Sequence, residues 1–257
     1  MRQNTPIVAV LLAAFLLAAG VVGAASLREG EPGPEDVAIR VGSVEVTFAE
    51  FELRRAAQEA TRPVSERLTA GEDFGMPPEF QAQMTMMRDL FAPFQIEADH
   101  EVGFIGSVVS AAAARDAAAR QAGEPSEDAI TARIEMLLQM DELIRTSDGA
   151  MLGYARALDE ARLAALGEER YLAEYVPLQA RDALARERLT DHLELTAAEG
   201  GVMPIVMGMR AAQGADIWLH PSLGVSSEEI RDHLDRQVRF QEALLQWQEE
   251  FLADFED

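Results

Sequence analysis

The sequence has no cysteine and no lysine, and aromatic residues make up only 6% of its 257 residues. Without cysteine the chain can form no disulfide, no thiolate metal site, no cysteine nucleophile and no lipid attachment at a cysteine. The 22 basic side chains are therefore all arginine, and 45 Asp and Glu bring the formal net charge to -23. Because such a surface repels phosphate groups, it argues against nucleic acids as partners and against adhesion of the folded part to an anionic membrane.

Motifs of catalysis are lacking as well. No serine lies in a Gly-x-Ser-x-Gly elbow, and no glycine-rich phosphate loop follows a predicted strand. The neighbouring acidic pairs are typical of a solvated helix face, whereas acid–base catalysis needs two carboxyl groups in different environments. The histidines do not show the spacing of zinc ligands; they are His100, His192, His220 and His233. We therefore predict no enzymatic activity, no catalytic residue, no metal and no cofactor.

The N-terminus carries an export signal. Residues 7–25 are uncharged and apolar, follow Arg2, and end in small residues that permit cleavage before Ser26. The run is also as long as the roughly 20 residues that span a bilayer, so an uncleaved anchor is the alternative. We assign residues 1–26 to a signal peptide or signal anchor. This predicts an extracytoplasmic protein that touches the membrane only through this segment, if the segment is retained.

A folded domain is predicted to begin at Val37. Residues 27–36 are rich in Gly, Pro and acid and are interpreted as a linker to a domain of residues 37–257. Residues 37–46 alternate apolar and polar side chains around a Gly-Ser pair, which indicates a β-hairpin. Thr47 and Glu50 then form the capping box of a first helix.

The rest of the domain is predicted to be mainly α-helical. Capping residues and helical periodicity indicate further helices over residues 97–122, from 126 onward, over 155–166 and 168–195, and from 226 towards the end. Clustered Gly and Pro predict an irregular insertion at residues 61–94 and an irregular segment at 196–225.

The order of these elements resembles the SurA N-terminal domain family of periplasmic chaperones. The family's strand, glycine turn, strand and Thr-capped helix have their counterpart in VAIRVGSVEVTFAEFELRRAAQE. Its long helix, turn and following helix correspond to AAAARDAAARQAGEPSEDAITARIEMLLQ, and a later helical part to LAALGEERYLAEYVPLQARDALARERLTDHL. The resemblance implies a helical chaperone core that is completed by the C-terminal helix.

Two departures limit what the resemblance implies. The hairpin turn lacks the usual Asn-Gly, and the insertion at 61–94 is unusual. About thirty residues separate Leu195 from Ser226, too few for an inserted parvulin domain, since domains typically need at least about 50 residues. Prolyl-isomerase activity is therefore not expected, and the polypeptide-binding part of the family's function remains.

Methionines suggest where polypeptides would bind. Flexible thioethers suit promiscuous apolar surfaces, but they also fill gaps in cores, and both interpretations stay open. Copper ligation is a third use of thioethers, which the absence of His-Met clusters disfavours. The predicted client-binding residues lie in the two breaker-rich segments: Phe80, Met84, Met87, Phe91, Phe94, Met203, Ile205, Met207 and Trp218.

Three hypotheses of function follow. The first is a non-catalytic, extracytoplasmic chaperone whose partners are unfolded or nascent exported proteins. The second is a membrane-associated structural or assembly subunit that holds one defined protein partner. The third, an isomerase with a degenerate active site, rests only on the label of multidomain relatives in the family.

Overall fold

A computed structural model describes residues 32–72, 74, 100–146, 152–191, 193 and 197–253. The predicted signal segment and five of the predicted contact residues, Phe80, Met84, Met87, Phe91 and Phe94, lie outside the described residues. From Val37 onward the chain forms one compact unit.

The described chain is mainly α-helical, as the sequence predicts. Its elements are β1 (Val37–Val41), β2 (Val44–Thr47), α1 (Phe48–Thr69), α2 (His100–Ala122), α3 (Glu127–Thr146), α4 (Gly153–Leu166), α5 (Glu168–Arg170), α6 (Val176–Thr190), α7 (Ala197–Gln213), β3 (Ile217–Leu219) and α8 (Ser227–Ala253). A π-helical turn, Tyr171–Tyr175, joins α5 to α6, and a 3-10 turn, Pro221–Leu223, precedes α8.

A small antiparallel sheet joins the two ends of the domain. Its strand order is β2-β1-β3, so β1 lies in the middle. The predicted hairpin is confirmed by pairs such as Val41 with Val44. On the other side of β1, Ile39 faces Leu219 and Val41 faces Ile217. A strand close to the C-terminus, which the sequence did not predict, therefore completes the sheet.

The main core lies between this sheet and the helices. Ile39 and Val41 belong to the same buried apolar cluster as Ile105 of α2 and as Ile230 and Leu234 of α8. Each of these five side chains is almost fully buried. The prediction that the C-terminal helix completes the core is thereby confirmed.

Two predicted helix starts carry the predicted caps. At the start of α1, Thr47 Oγ1 accepts a hydrogen bond from the Glu50 amide at 3.2 Å. Before α8, Ser226 Oγ accepts from the Glu229 amide at 3.2 Å, while the Glu229 carboxylate accepts from the Ser226 amide at 2.8 Å. The hydrogen bonds from Ser226 lower the pKa of Glu229. Ser226 and Glu229 thus form a full capping box, whereas at Thr47 only the hydroxyl half of the predicted box is present, because the Glu50 carboxylate accepts from Arg54 and Arg115.

The predicted irregular insertion at 61–94 is wrong in its first part, because α1 continues without a break to Thr69. Pro63 lies inside the helix and removes one backbone hydrogen bond. The bond lost is the one that the Glu59 carbonyl would accept in a regular helix. Packing of α1 against α4 offsets the local cost of proline. The remainder of the predicted insertion lies outside the described residues, apart from a short stretch after α1.

The predicted irregular segment at 196–225 is also wrong, since it holds α7 and β3. Pro204 lies within α7, and Val206 of the same helix is fully buried. A side chain at Gly208 would bring its Cβ to 3.1 Å from Ser110 Oγ of α2. The glycine therefore allows α7 and α2 to pack closely, whereas from sequence it looked like a helix breaker.

Within the described residues, α2 alone is long and apolar enough to cross a membrane by length and composition. Of its most apolar window, 61% is buried inside the protein. Buried core helices pass the same test, and in α2 the buried side chains are mostly small, which fits close helix packing.

Candidate functional site

A buried ion network fixes the helices around which the candidate surfaces lie. Arg54 of α1 donates to both oxygens of Asp182 of α6, at 2.6 and 3.1 Å. Glu50 accepts from Arg54 at 2.9 Å and from Arg115 of α2 at 2.8 Å. Burial alone would lower the pKa of Arg54, but Asp182 and Glu50 raise it above its ordinary value. The two charges of each sign thus hold α1, α2 and α6 together.

A second polar cluster fixes α3. The Tyr171 hydroxyl, on the π-helical turn, lies 2.8 Å from a carboxylate oxygen of Asp141 and 2.7 Å from one of Asp159. Asp141 belongs to α3 and Asp159 to α4. Burial raises the pKa of Tyr171, as do its hydrogen bonds to the two carboxyl groups. The hydroxyl therefore stays protonated and joins three elements at one point.

Exposed apolar side chains form a row along α3, called here the α3 stripe: Met136, Met140 and Leu143. Their exposed fractions are 51%, 51% and 59%. The spacing of four and three residues places them on one face of the helix. A different face of α3 is buried, where Ile134 and Leu137 pack against the cluster that contains Tyr171. Contiguous exposed apolar side chains mark interaction surfaces.

Two cavities lie beside the ion network. The first, called here the polar cavity, has a volume of about 230 Å³ and lies between α1, α2, α4 and α6. The second, the mixed cavity, has a volume of about 380 Å³ and lies where α2 ends and α3 begins, against α6. The mixed cavity has an apolar floor that includes Ala118, Ile130 and Ala185, and its rim carries Arg181 and Arg188.

Of the predicted contact residues that the structure describes, two are well exposed. Ile205 on α7 is 40% exposed and Trp218 on β3 is 42% exposed. Met203 and Met207 are half-buried, and Met207 packs against the alanine cluster formed by α2 and α6. The Trp218 ring lies 5.7 Å from the guanidinium of Arg40. These residues lie on α7 and β3, apart in the chain from the α3 stripe.

Sequence analysis missed the α3 stripe. The helical period predicted from residue 126 onward is accounted for by a first apolar row, which does face inward: Ile130, Ile134, Leu137 and Leu138. The sequence does contain a signal for the α3 stripe, since the apolar residues at 136, 140 and 143 form a second row with the same helical period. A helix with two apolar rows has more apolar surface than a single core contact covers.

Comparisons with family models, with curated proteins and with solved structures found no match to this chain. Among the described residues, no group of three or more His, Asp or Glu is placed to hold a metal ion. The candidate surfaces are defined by geometry: the α3 stripe is an exposed apolar row on a fixed helix, and arginine is among the described residues that line the polar cavity and the mixed cavity.

Proposed function

We propose that this protein binds apolar segments of non-native polypeptides outside the cytoplasm, as a chaperone without catalysis. The observation that carries the proposal is the α3 stripe, in which Met136, Met140 and Leu143 are each more than half exposed. The helix beneath is anchored by the Tyr171 hydrogen bond to Asp141 and by an ion pair between Arg133 and Glu187. The apolar side chains are thus presented to solvent by a fixed element.

The chemistry of the stripe suits varied segments better than a single sequence. Methionine has three rotatable bonds and adapts its shape to the partner. Burial of apolar surface contributes roughly 25 cal/mol per Å², so three side chains support only weak, reversible contact. Glu135 and Glu142 are exposed on the same helix. We infer clients whose apolar segments are flanked by basic residues, because the acidic helix attracts them.

Two further features support the proposal. The sequence at 7–25 has the layout of an export signal. The SurA-like resemblance implies a C-terminal helix that returns to the N-terminal hairpin, and α8 shares a core cluster with β1. The net charge of -23 helps to keep a loaded complex in solution.

The first experiment changes the stripe itself. We expect the triple variant Met136→Gln, Met140→Gln, Leu143→Gln to suppress aggregation of reduced, unfolded lysozyme, a basic client, several-fold less well than wild type. Light scattering at equal molar ratios measures the effect. The free energy of unfolding should change by no more than about 0.5 kcal/mol, because the replaced side chains are exposed and glutamine favours helix.

A matched variant, Glu135→Gln with Glu142→Gln, alters the same helix without removing apolar surface. It should retain suppression of an electrically neutral client. Equal suppression by wild type and the triple variant would contradict the proposal, as would a parallel loss of stability, which would make the stripe part of the core. Capture of one stoichiometric protein, in place of many substoichiometric ones, would favour the assembly subunit.

A further inference from the structure

The polar cavity has a lining that contrasts with the rest of the molecule. Two arginines, Arg54 and Arg162, line it, and none of the described residues that line it is acidic. This is unexpected in a chain with 45 Asp and Glu against 22 Arg. The described residues that line it are Arg54, Ala57, Gln58, Thr61, Phe104, Ser107, Val108, Arg162, Tyr175 and Gln179.

The two arginines differ in their partners. Arg54 is already neutralised, since Asp182 and Glu50 accept its hydrogen bonds. Arg162 is half-buried and has no hydrogen-bond or ion-pair partner within the described part of the chain. A guanidinium offers five N–H donors in a planar fork that matches a carboxylate. Arg162 is therefore the side chain in this cavity with a charge and donors to offer.

Further donors surround Arg162. Gln58 of α1 and Gln179 of α6 are half-buried and line the cavity, and their side-chain amides have no hydrogen-bond partner among the described residues. Burial raises the pKa of Tyr175, although Arg162 and Arg54 act in the opposite direction. The Tyr175 hydroxyl consequently keeps its proton and can donate. Half-buried donors of this kind can bond to water or to a ligand.

The other side of the cavity is apolar. Ala57, Phe104 and Val108 line it and are 2%, 3% and 1% exposed overall. The volume of about 230 Å³ lies below the roughly 300–1,000 Å³ typical of sites for drug-sized ligands. The described lining thus combines an arginine that forms no hydrogen bond or ion pair with the described residues, several neutral polar side chains and apolar side chains.

We propose that the polar cavity binds a small organic monocarboxylate, with its carboxylate on Arg162 and a short apolar body against Phe104 and Val108. Gln58, Gln179 and Tyr175 line the same cavity, and in this proposal their side chains donate to the ligand's oxygens. Charge-assisted, bidentate contacts of this kind are stronger and more directional than neutral hydrogen bonds. The site lies on α1, α2, α4 and α6, so it does not depend on the α3 stripe or on the function proposed for it.

Isothermal titration of the full-length protein with benzoate tests this site. Wild type should bind benzoate, and Arg162→Gln should bind it about tenfold more weakly, a factor that corresponds to about 1.4 kcal/mol. The matched control is Arg170→Gln, because Arg170 is exposed and pairs with Glu174 at 3.0 Å. That variant should bind benzoate as wild type does. The thermal unfolding temperature should fall only slightly in Arg162→Gln, because no hydrogen bond or ion pair between described residues is lost and only the longer-range attraction to Asp141 is removed.

Several results would overturn the assignment. One is the absence of binding heat up to about 10 mM benzoate, and another is an unchanged affinity of Arg162→Gln for benzoate. A third is equally strong competition by inorganic phosphate, because it would show that the site responds to charge alone. A further titration with a peptide shows whether the bound carboxylate belongs to a small free acid or to the end of a polypeptide. If a short peptide with a free C-terminus bound more tightly than benzoate and its amidated form did not bind, the site would serve polypeptide ends and not small free acids. The α3 triple variant should bind benzoate normally, which separates this test from the chaperone test.

Discussion

At the scale of single residues, the Tyr171 hydroxyl has one hydrogen and two carboxyl groups as neighbours. Carboxylate oxygens of Asp141 and Asp159 both lie within 2.8 Å of the hydroxyl oxygen. The second contact becomes favourable when one carboxyl group carries a proton and donates it. Burial raises the pKa of Asp141, and the neighbouring Asp159 raises it further, while Tyr171, Arg145 and Arg162 lower it.

This raised pKa predicts a pH dependence of stability. The folded protein holds the Asp141 proton at a pH where the unfolded chain has lost it. The contribution to stability is therefore complete below the ordinary pKa of about 4 and is lost as the pH rises through the folded pKa. Asp141→Asn cannot titrate and still accepts from Tyr171. Relative to wild type, its free energy of unfolding should increase between pH 4 and neutrality, by up to about 1 kcal/mol for a part-exposed group.

Urea titrations at several pH values measure that difference, in which the titration of His233 and other groups common to both proteins cancels. Glu142→Gln removes an exposed carboxylate from the adjacent position of α3 and controls for the loss of one charge. A difference between Asp141→Asn and wild type that stays constant with pH would show that the Asp141 proton is not held in the folded state.

Sequence analysis could not find this cluster. Asp141, Asp159 and Tyr171 are separated by 12 to 30 positions and meet only because α3, α4 and the π-helical turn converge. Acidic residues are so frequent in the chain that their positions carry no signal by themselves. The same limit applied to Arg54 and Asp182, which are 128 positions apart.

At the scale of elements, the hairpin turn is fixed by a helix. The amide and hydroxyl of Ser43 both donate to Asp116 Oδ1 of α2, at 2.9 and 2.8 Å. Asp116 is 2% exposed, and its other oxygen lies 2.9 Å from Arg120. Gly42 adopts a φ of 58°, the left-handed region, directly over this carboxylate. The turn between β1 and β2 therefore needs a residue with no side chain at position 42.

Substitution of this glycine should be strongly destabilising. In Gly42→Ala the added Cβ would lie 2.5 Å from Asp116 Oδ2, and the left-handed backbone itself disfavours alanine by roughly 1 to 2 kcal/mol. We expect the free energy of unfolding in urea to fall by about 3 kcal/mol or more, because the clash adds to the backbone cost.

Gly123→Ala supplies the matched comparison. Gly123 follows α2 with a φ of 74° and has open space around its Cβ position, so it should show the backbone cost alone. Equal losses of stability in the two variants would mean that the Asp116 carboxylate moves aside freely. The close approach of Gly42 to Asp116 would then not contribute to the stability of the turn.

Elements that depend on local signals were predictable, and those that depend on contact were not. Thr47 and Ser226 indicate helix starts because their hydroxyls accept hydrogen bonds from the amides three residues further along the chain. Gly208 and Pro204 predict a helix break that does not occur. Close packing of α7 on α2 stabilises the helix by more than the low helix propensity of these two residues costs. Strand β3 is three residues long and shows no alternation that could be recognised.

At the scale of the whole molecule, the two ends of the domain depend on one another. Strand β1 lies between β2 and β3. Two backbone hydrogen bonds extend the pairing of β1 with β3: the Gly42 amide donates to the Asp216 carbonyl at 2.9 Å, and the His220 amide donates to the Ala38 carbonyl at 2.8 Å. Segments almost 180 positions apart in sequence therefore share one sheet. The same two regions share the main apolar cluster, through Val41 and Leu234.

This arrangement predicts cooperative unfolding of the ends. Opening of β1 alone would break pairing on both of its sides and expose a cluster that also contains Ile105 of α2. We expect the amide hydrogens of Ile39 and Val41 to exchange with solvent at the same free energy, and with the same urea dependence, as those of the buried core of α2. Hydrogen exchange followed by mass spectrometry or NMR measures both quantities. If β1 exchanged at a lower free energy than α2, the sheet would be a separately opening unit, and α8 and β3 would stabilise only their immediate neighbours.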